Sequence, residues 1–210
     1  MSTEVKDRQI FVVDDDDAVR DSLEVLLEHK GFKVKTFASS KVFLDRMEGF
    51  DQRACLLLDI RMPGMDGLEV LGTVVRRKLQ IAIVMITGHA DVATAVKAMK
   101  TGAVDFIEKP FNQDTILTAV SKAFESLNDS EPTTAEVRQI ADKIENLSPR
   151  ERDVLERLVD GLTNKEIARE LDISPRTVEI YRAGVMGKME ARNLSALVKM
   201  GLAVGMGKSL

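Results

Sequence analysis

The sequence lacks most of what would mark a secreted, membrane-bound or zinc-held protein. It has one cysteine in 210 residues, so neither a disulfide framework nor a cysteine-based zinc site is open to it. That cysteine, Cys55, falls in an apolar run and reads as a small core residue. No apolar run is long enough to span a bilayer, and residues 1–8 are polar and charged rather than a secretory leader. There is no glycine-rich phosphate-binding loop, and the formal net charge is only −4. These absences point to the cytoplasm, with no membrane partner. The length suggests one large or two modest domains, each able to bury its own core.

Charge is unevenly spread. Residues 1–127 hold 17 Lys and Arg against 20 Asp and Glu, residues 128–146 hold 2 against 5, and residues 147–210 hold 11 against 9. The last third is the cationic part, and any polyanion partner is expected there.

Apolar periodicity divides the first 127 residues into alternating strands and helices. Residues 9–13 read as a short buried strand that breaks into Asp14, Asp15, Asp16 and Asp17. Residues 18–30 follow with helical spacing at Val19, Leu23, Leu26 and Leu27, closed by Gly31. Residues 33–37 alternate as a second strand, and Ser39 or Ser40 caps a helix carrying Val42, Phe43, Leu44 and Met47. A third strand runs through Leu56, Leu57 and Leu58 to Asp59 and stops at a turn containing Pro63 and Gly64. A helix over about 65–78 comes next, then a strand over 81–86 ending on Thr87. A helix over 92–101, a strand over 105–108 and a helix over 112–128 complete the set. Five strands alternating with five helices predict a doubly wound, five-stranded parallel sheet of the flavodoxin-like kind.

Right-handed crossovers bring every strand end to one edge of that sheet. Asp14, Asp15, Asp59, Thr87 and Lys109 therefore converge there. Clustered carboxylates repel one another unless a hard divalent cation neutralises them, and Mg²⁺ is the expected cofactor. With Mg²⁺ bound, Asp59 is placed to attack a phosphoryl group in line while Lys109 and the Thr87 hydroxyl hold its oxygens. Other readings fit less well. Asp16 and Asp17 suit a helix start, where negative charge favours the dipole. An EF-hand loop fails because Asp14 and Asp16 are followed by Ala18, with Val19 where glycine belongs. An aspartate-nucleophile phosphatase of the haloacid dehalogenase type would want Thr or Val in place of Ala18 and an acidic pair after Lys109.

Four segments carry a family likeness: VVDDDD, LLLDIRMPGMDG, MITGHAD and DFIEKPF, in order over 9–127. Together they resemble the response-regulator receiver domain. The resemblance implies that Asp59 is the phospho-acceptor, that Asp14 and Asp15 bind Mg²⁺ with Asp59 and the Arg61 carbonyl, and that Thr87 and Lys109 sense the phosphoryl group. It implies a cis Lys109–Pro110 bond, a switch role for Phe106, and tuning of the acyl-phosphate lifetime by Arg61 and His89; for His89 a plain surface-loop role is the competing reading. His29, near a helix end, reads as structural.

A polar, Pro-containing boundary at 129–134 leads into an amphipathic helix over 135–146, which bears Val137, Ile140, Ala141 and Ile144 on one face and packs on one domain or pairs with a second copy. Capping boxes begin at Ser148 and Thr163, each with Glu three residues on (Glu151, Glu166). Pro149 opens a helix closed by Gly161, and a short helix over 164–171, a tight turn at Asp172–Ile173 and a longer helix from Pro175 to about 189 make a helix-turn-helix. A fourth helix follows Asn193. Val178, Tyr181, Val185 and Met189 form the core stripe of the longer helix. Arg176, Thr177, Glu179, Ile180 and Ala183 fall on the side open to a DNA groove, and Lys165, Arg169, Arg182 and Lys188 flank it as phosphate contacts. A helical module that binds protein instead is the other reading. Gly184 and Gly187 lie inside this helix, where each should cost about 0.5–1 kcal/mol against Ala. Either the helix is ordered only on DNA or the glycines allow close backbone approach.

The segment LSPRERDVLERLVDGLTNKEIARELDISPRTVEIYRAGVMGKM resembles the LuxR/FixJ-type output domain, and the whole chain resembles a FixJ-type response regulator. The domains expected are a receiver at 1–128, a linker helix at 129–146 and an all-α DNA-binding domain at 147–210. The resemblance implies a histidine kinase partner, double-stranded DNA half-sites, a homodimer on activation and release of the output domain from an inhibitory contact; RNA polymerase is a further partner it admits. It implies no enzyme activity beyond self-phosphorylation and autodephosphorylation.

Overall fold

A computed structural model describes residues 8–47, 53–88, 92–128 and 133–207. The chain divides into two compact units, 1–89 with 101–129, and 90–100 with 130–210.

The first unit is built on five parallel strands: β1 (Gln9–Val13), β2 (Lys33–Phe37), β3 (Ala54–Asp59), β4 (Ile81–Thr87) and β5 (Asp105–Glu108), in the order β2-β1-β3-β4-β5. Strands β3 and β4 are buried at every position, which is why they read as unbroken apolar runs rather than alternating ones. Helices α1 (Asp17–His29), α2 (Ser40–Arg46), α3 (Gly67–Arg76) and α5 (Gln113–Ser126) cover the sheet, and α4 (Val92–Thr101) lies where periodicity puts it, its residues up to 100 grouping with the second unit. On one face, Leu23 and Leu27 of α1 and Ile116, Val120 and Phe124 of α5 pack on Ile10, Val12, Leu57, Val84 and Ile86. On the other, Phe11, Phe37 and Phe43 form a trio with ring centroids 5.4–6.2 Å apart, Phe37 meeting the other two edge-to-face.

Helix starts are set by side-chain caps. Asp16 accepts from the Ala18 and Val19 N–H groups and Asp17 opens the first turn, so half of the four-aspartate run serves α1. The helix expected from 65 begins at Gly67 because Asp66 caps it, and the one expected from 112 begins at Gln113 because Asn112 does.

In the second unit, α6 (Thr134–Glu145), α7 (Pro149–Val159), α8 (Asn164–Leu171), α9 (Pro175–Lys188) and α10 (Leu194–Ala203) follow in order. Val154, Leu158, Ile167, Leu171, Val178, Val185, Met189 and Leu197 form the core, and the linker helix α6 packs on it through Ile140 and Ile144. Both expected capping boxes form, and a third pairs Thr133 with Glu136. Helix α8 ends at Asp172 in the left-handed region (φ 54°), and Ser174 caps α9.

Helix α9 runs unbroken through both glycines. A Cβ on Gly184 would lie 2.8 Å from Glu151 Oε1, so the glycine makes room for a side chain of α7. That carboxylate accepts from the Ser148 N–H at 2.7 Å and from Lys188 Nζ at 2.6 Å, bracing α7 against the end of α9. The Lys188 ammonium, followed by the Ser148 donors, holds the Glu151 carboxyl down to about 2.

A carboxyl depressed in the folded state stabilises fully above its ordinary value of 4.5, and that contribution fades as pH falls toward about 2. Glu151→Gln should therefore lower stability by about 1 kcal/mol at pH 7, with the gap closing between pH 4.5 and about 2. Thermal melts of both proteins followed by helical circular dichroism across that range check it; a gap independent of pH would assign Glu151 a packing role only.

Candidate functional site

The carboxyl edge of the sheet collects the chemistry. Asp14 follows β1, Asp59 ends β3, Thr87 ends β4 and Lys109 follows β5, and the register places Asp59 beside Ile86 and Thr87 beside Glu108. Lys109 Nζ donates to Asp14 Oδ2 and to Asp59 Oδ1, 2.7 Å each. Both carboxylates are buried, Asp14 to 1% exposure and Asp59 to 5%. One ammonium thus serves two carboxylates in a poorly solvated place, leaving a net negative charge. Burial pushes the Asp59 carboxyl up, against the pull of Lys109 and of the Arg61 N–H that donates to it, and Asp14 adds to the rise. For Lys109, burial pulls down, but the hydrogen bonds to Asp14 and Asp59 win and the ammonium is held charged.

The backbone shapes the site as closely as the side chains do. The Lys109 N–H donates to the Thr87 carbonyl at 2.7 Å, and the Lys109–Pro110 bond is cis as expected. The Thr87 side chain is buried, Phe106 is half-buried on β5 opposite Met85, and Arg61 is exposed. Asp15 is exposed beside Asp14, and among the described residues no three His, Cys, Asp or Glu side chains gather closely enough to hold a metal ion. His89 lies outside the described residues. His29 sits in the last turn of α1.

The sequence alone assigns no role to two residues of this edge, although Gly67 closes the segment LLLDIRMPGMDG. Arg20, one turn into α1, donates through Nη1 to the Asp14 carbonyl at 2.7 Å and pairs with Asp17, fixing the loop that presents Asp14. Its signal in the sequence is only its place in the first turn after the aspartates. Gly67 donates to the Ile60 carbonyl at 2.8 Å, and a Cβ on it would lie 2.2 Å from the Asp59 carbonyl oxygen and 2.9 Å from Ile60 Cα. Only glycine lets α3 start this close to the end of β3.

In the second unit, α8 and α9 carry the residues expected to face DNA. Lys165, Arg169, Arg176, Glu179, Ile180 and Ala183 are exposed; Thr177 and Arg182 are half-buried. Thr177 Oγ1 pairs with Ser174 Oγ at 2.7 Å, and Arg182 reaches Asn164 at 3.5 Å. Lys188 is exposed, with its ammonium on Glu151.

A five-stranded parallel sheet with buried acids and a lysine at its carboxyl edge, followed by a helix-turn-helix module, defines a two-part regulator. Residues 10–121 match the family model of the response regulator receiver domain, and residues 145–201 match that of bacterial regulatory proteins of the luxR family. The chain is 47% identical to the transcriptional regulatory protein FixJ of Bradyrhizobium diazoefficiens over 94% of its length and 96% of that protein's. It is 46% identical to FixJ of Rhizobium meliloti, covering 97% of this chain and 99% of that one. The crystal structure of full-length FixJ from B. japonicum aligns with a TM-score of 0.55 at 46% identity, over 94% of this chain and 97% of that one. The chain belongs to the FixJ-type response regulators, with a receiver domain and a LuxR-type DNA-binding domain. That family has no known catalytic function beyond self-phosphorylation of the receiver, and no helix among the described residues is long and apolar enough to cross a membrane.

The close approach at Gly67 yields a direct test of how the site is held. Gly67→Ala should destabilise the protein by about 1–3 kcal/mol, because both nearest atoms are backbone and cannot turn aside. Urea unfolding of wild type and variant measures it, and an unchanged midpoint would mean that α3 can shift away from β3 without loss.

Proposed function

We propose that Asp59 is the phosphoryl acceptor of a cytoplasmic two-component transcription factor, and that its covalent state governs DNA binding by the second domain. The observation that carries this reading is Lys109 held between two buried carboxylates, Asp14 and Asp59, at the carboxyl edge of the sheet. A carboxylate oxygen of Asp59 forms the bond to phosphorus as the P–N bond of a kinase phosphohistidine, or the P–O bond of a small acyl phosphate, breaks and the imidazole or carboxylate leaves with the electron pair. Lys109 then moves from carboxylate to phosphoryl oxygen, and the Thr87 hydroxyl donates to another, with the Phe106 ring following Thr87.

Receiver domains generally bind Mg²⁺ at the phosphorylation site, and the donor set here suits it: hard oxygens and an excess of buried negative charge that one ammonium leaves uncompensated. Asp14, Asp15, Asp59 and the Arg61 carbonyl would hold the ion. When bound, Mg²⁺ supplies the positive charge that lets two anions meet.

In the second domain, Lys165, Arg169, Arg182 and Lys188 would contact phosphates, while Arg176, Thr177, Glu179, Ile180 and Ala183 face base edges. Phosphorylation would favour a receiver-mediated homodimer and free the output domain to read two half-sites about one helical turn apart. RNA polymerase would be met at the promoter.

Asp59→Asn should abolish phosphoryl uptake from acetyl phosphate with Mg²⁺, measured as the mass gain of intact protein. Uptake that survives, or that moves to Asp14, would favour the hydrolase-like alternative. Lys165→Ala should weaken DNA binding on all sequences alike and reduce the slope of log affinity against log salt by about 1. If gel shifts show no salt-sensitive DNA complex in phosphorylated wild-type protein, the helical domain is a protein-binding adaptor.

A further inference from the structure

Among the described residues the exposed large apolar side chains are Val25, Val42, Val75 and Ile180, and Ile180 is the one in the second unit, 65% exposed. It sits on α9 opposite the stripe that buries Val178, Val185 and Met189. Helical spacing places it in line with Arg176, Ala183 and Gly187, all exposed. The row runs from a cation through one large aliphatic side chain to a methyl and then to bare backbone, where a Cβ on Gly187 would meet nothing within 4 Å. Ile180 is therefore the one large apolar side chain in this row.

Its surroundings identify what covers it. Arg176, one turn before it in the same row, is an exposed cation, and Lys165 and Arg169 are exposed on the preceding helix, which suits a phosphate backbone rather than an apolar protein surface; Glu179 beside Ile180 is exposed as well. Within a major groove, the apolar feature that a base edge offers is the C5-methyl of thymine. We propose that Ile180 is a specificity-determining residue that packs on a thymine methyl in each half-site. The proposal rests on the DNA-binding reading above.

The test uses the full-length protein treated with acetyl phosphate and Mg²⁺. DNA is selected from a random duplex library, and the selected duplex is resynthesised with one thymine at a time replaced by deoxyuridine, which removes only the methyl. Wild-type binding should weaken about fourfold at one thymine per half-site, the value of one buried methyl-sized group. Ile180→Ala should bind the thymine and deoxyuridine forms equally at that position, and Ile180→Val should keep part of the discrimination. Lys165→Ala should lose affinity for both forms alike and keep the wild-type ratio. Selected DNA that tolerates every deoxyuridine, or an Ile180→Ala protein that retains the wild-type penalty, overturns the proposal while leaving DNA binding in place. Recovery of no DNA at all overturns both together.

Discussion

One ammonium between two buried carboxylates is the constraint on which the first domain depends. Lys109 cannot leave Asp14 and Asp59 without exposing two like charges to each other in a place that water reaches poorly. Everything near it keeps that geometry. The parallel register of β3 and β4 sets Asp59 beside Ile86, and the Lys109 N–H is fixed on the Thr87 carbonyl. Arg20 holds the Asp14 backbone, and Gly67 lets α3 start against the Asp59 carbonyl. The edge is thus set by main-chain packing, and the charges are free to be rearranged by a ligand. A phosphoryl group on Asp59, in the role proposed for it, would add negative charge to this site. Lys109, which pairs with both carboxylates, would then change partner, so that covalent change at one oxygen would become a change in the position of Lys109.

The parts of this that were legible in the sequence are those with a period or a punctuation mark. Strands β3 and β4 announce themselves because burial on both faces makes every residue apolar. The acids and the lysine stand out because each interrupts or follows such a run. Asp16, Asp66, Asn112, Ser148 and Thr163 mark helix starts because their side chains satisfy N–H groups that the helix leaves open. What was not legible depends on contacts between segments distant in the chain. The role of Arg20 depends on which way its side chain turns after a cap, and the role of Gly67 depends on how near α3 comes to β3. The third capping box at Thr133 and Glu136 had a readable pattern, but it lies at the edge of a polar stretch that looks like plain linker.

Helix α9 shows the same division. Its two glycines looked like one problem in the sequence and are two different answers. Gly184 admits the carboxylate of Glu151, which caps α7 and holds Lys188, so the cost of one glycine is offset by a brace that fixes the angle of α9. Gly187 faces open space. An internal contact and a bare outer surface lie within one turn of each other, and only the packing of α7 tells them apart.

The modest net charge of the last third is a weak guide to how it meets DNA, because its acids are not spread evenly over its surface. Glu151 is turned to Ser148 and Lys188, and Glu166 to the Thr163 cap. Glu170 pairs with Arg157, Asp153 with Arg150, and Glu190 with Lys143 of α6. These carboxylates close helix ends or pair with cations, while Lys165, Arg169 and Arg176 remain exposed, with Glu179 the exposed acid on α9. A domain of small net charge can therefore present a locally basic face, and the field at that face rather than the total sets phosphate attraction. If, as proposed, only a few cations of each copy meet phosphates, discrimination between sequences would have to come from the side chains that reach base edges and from pairing two copies on one duplex.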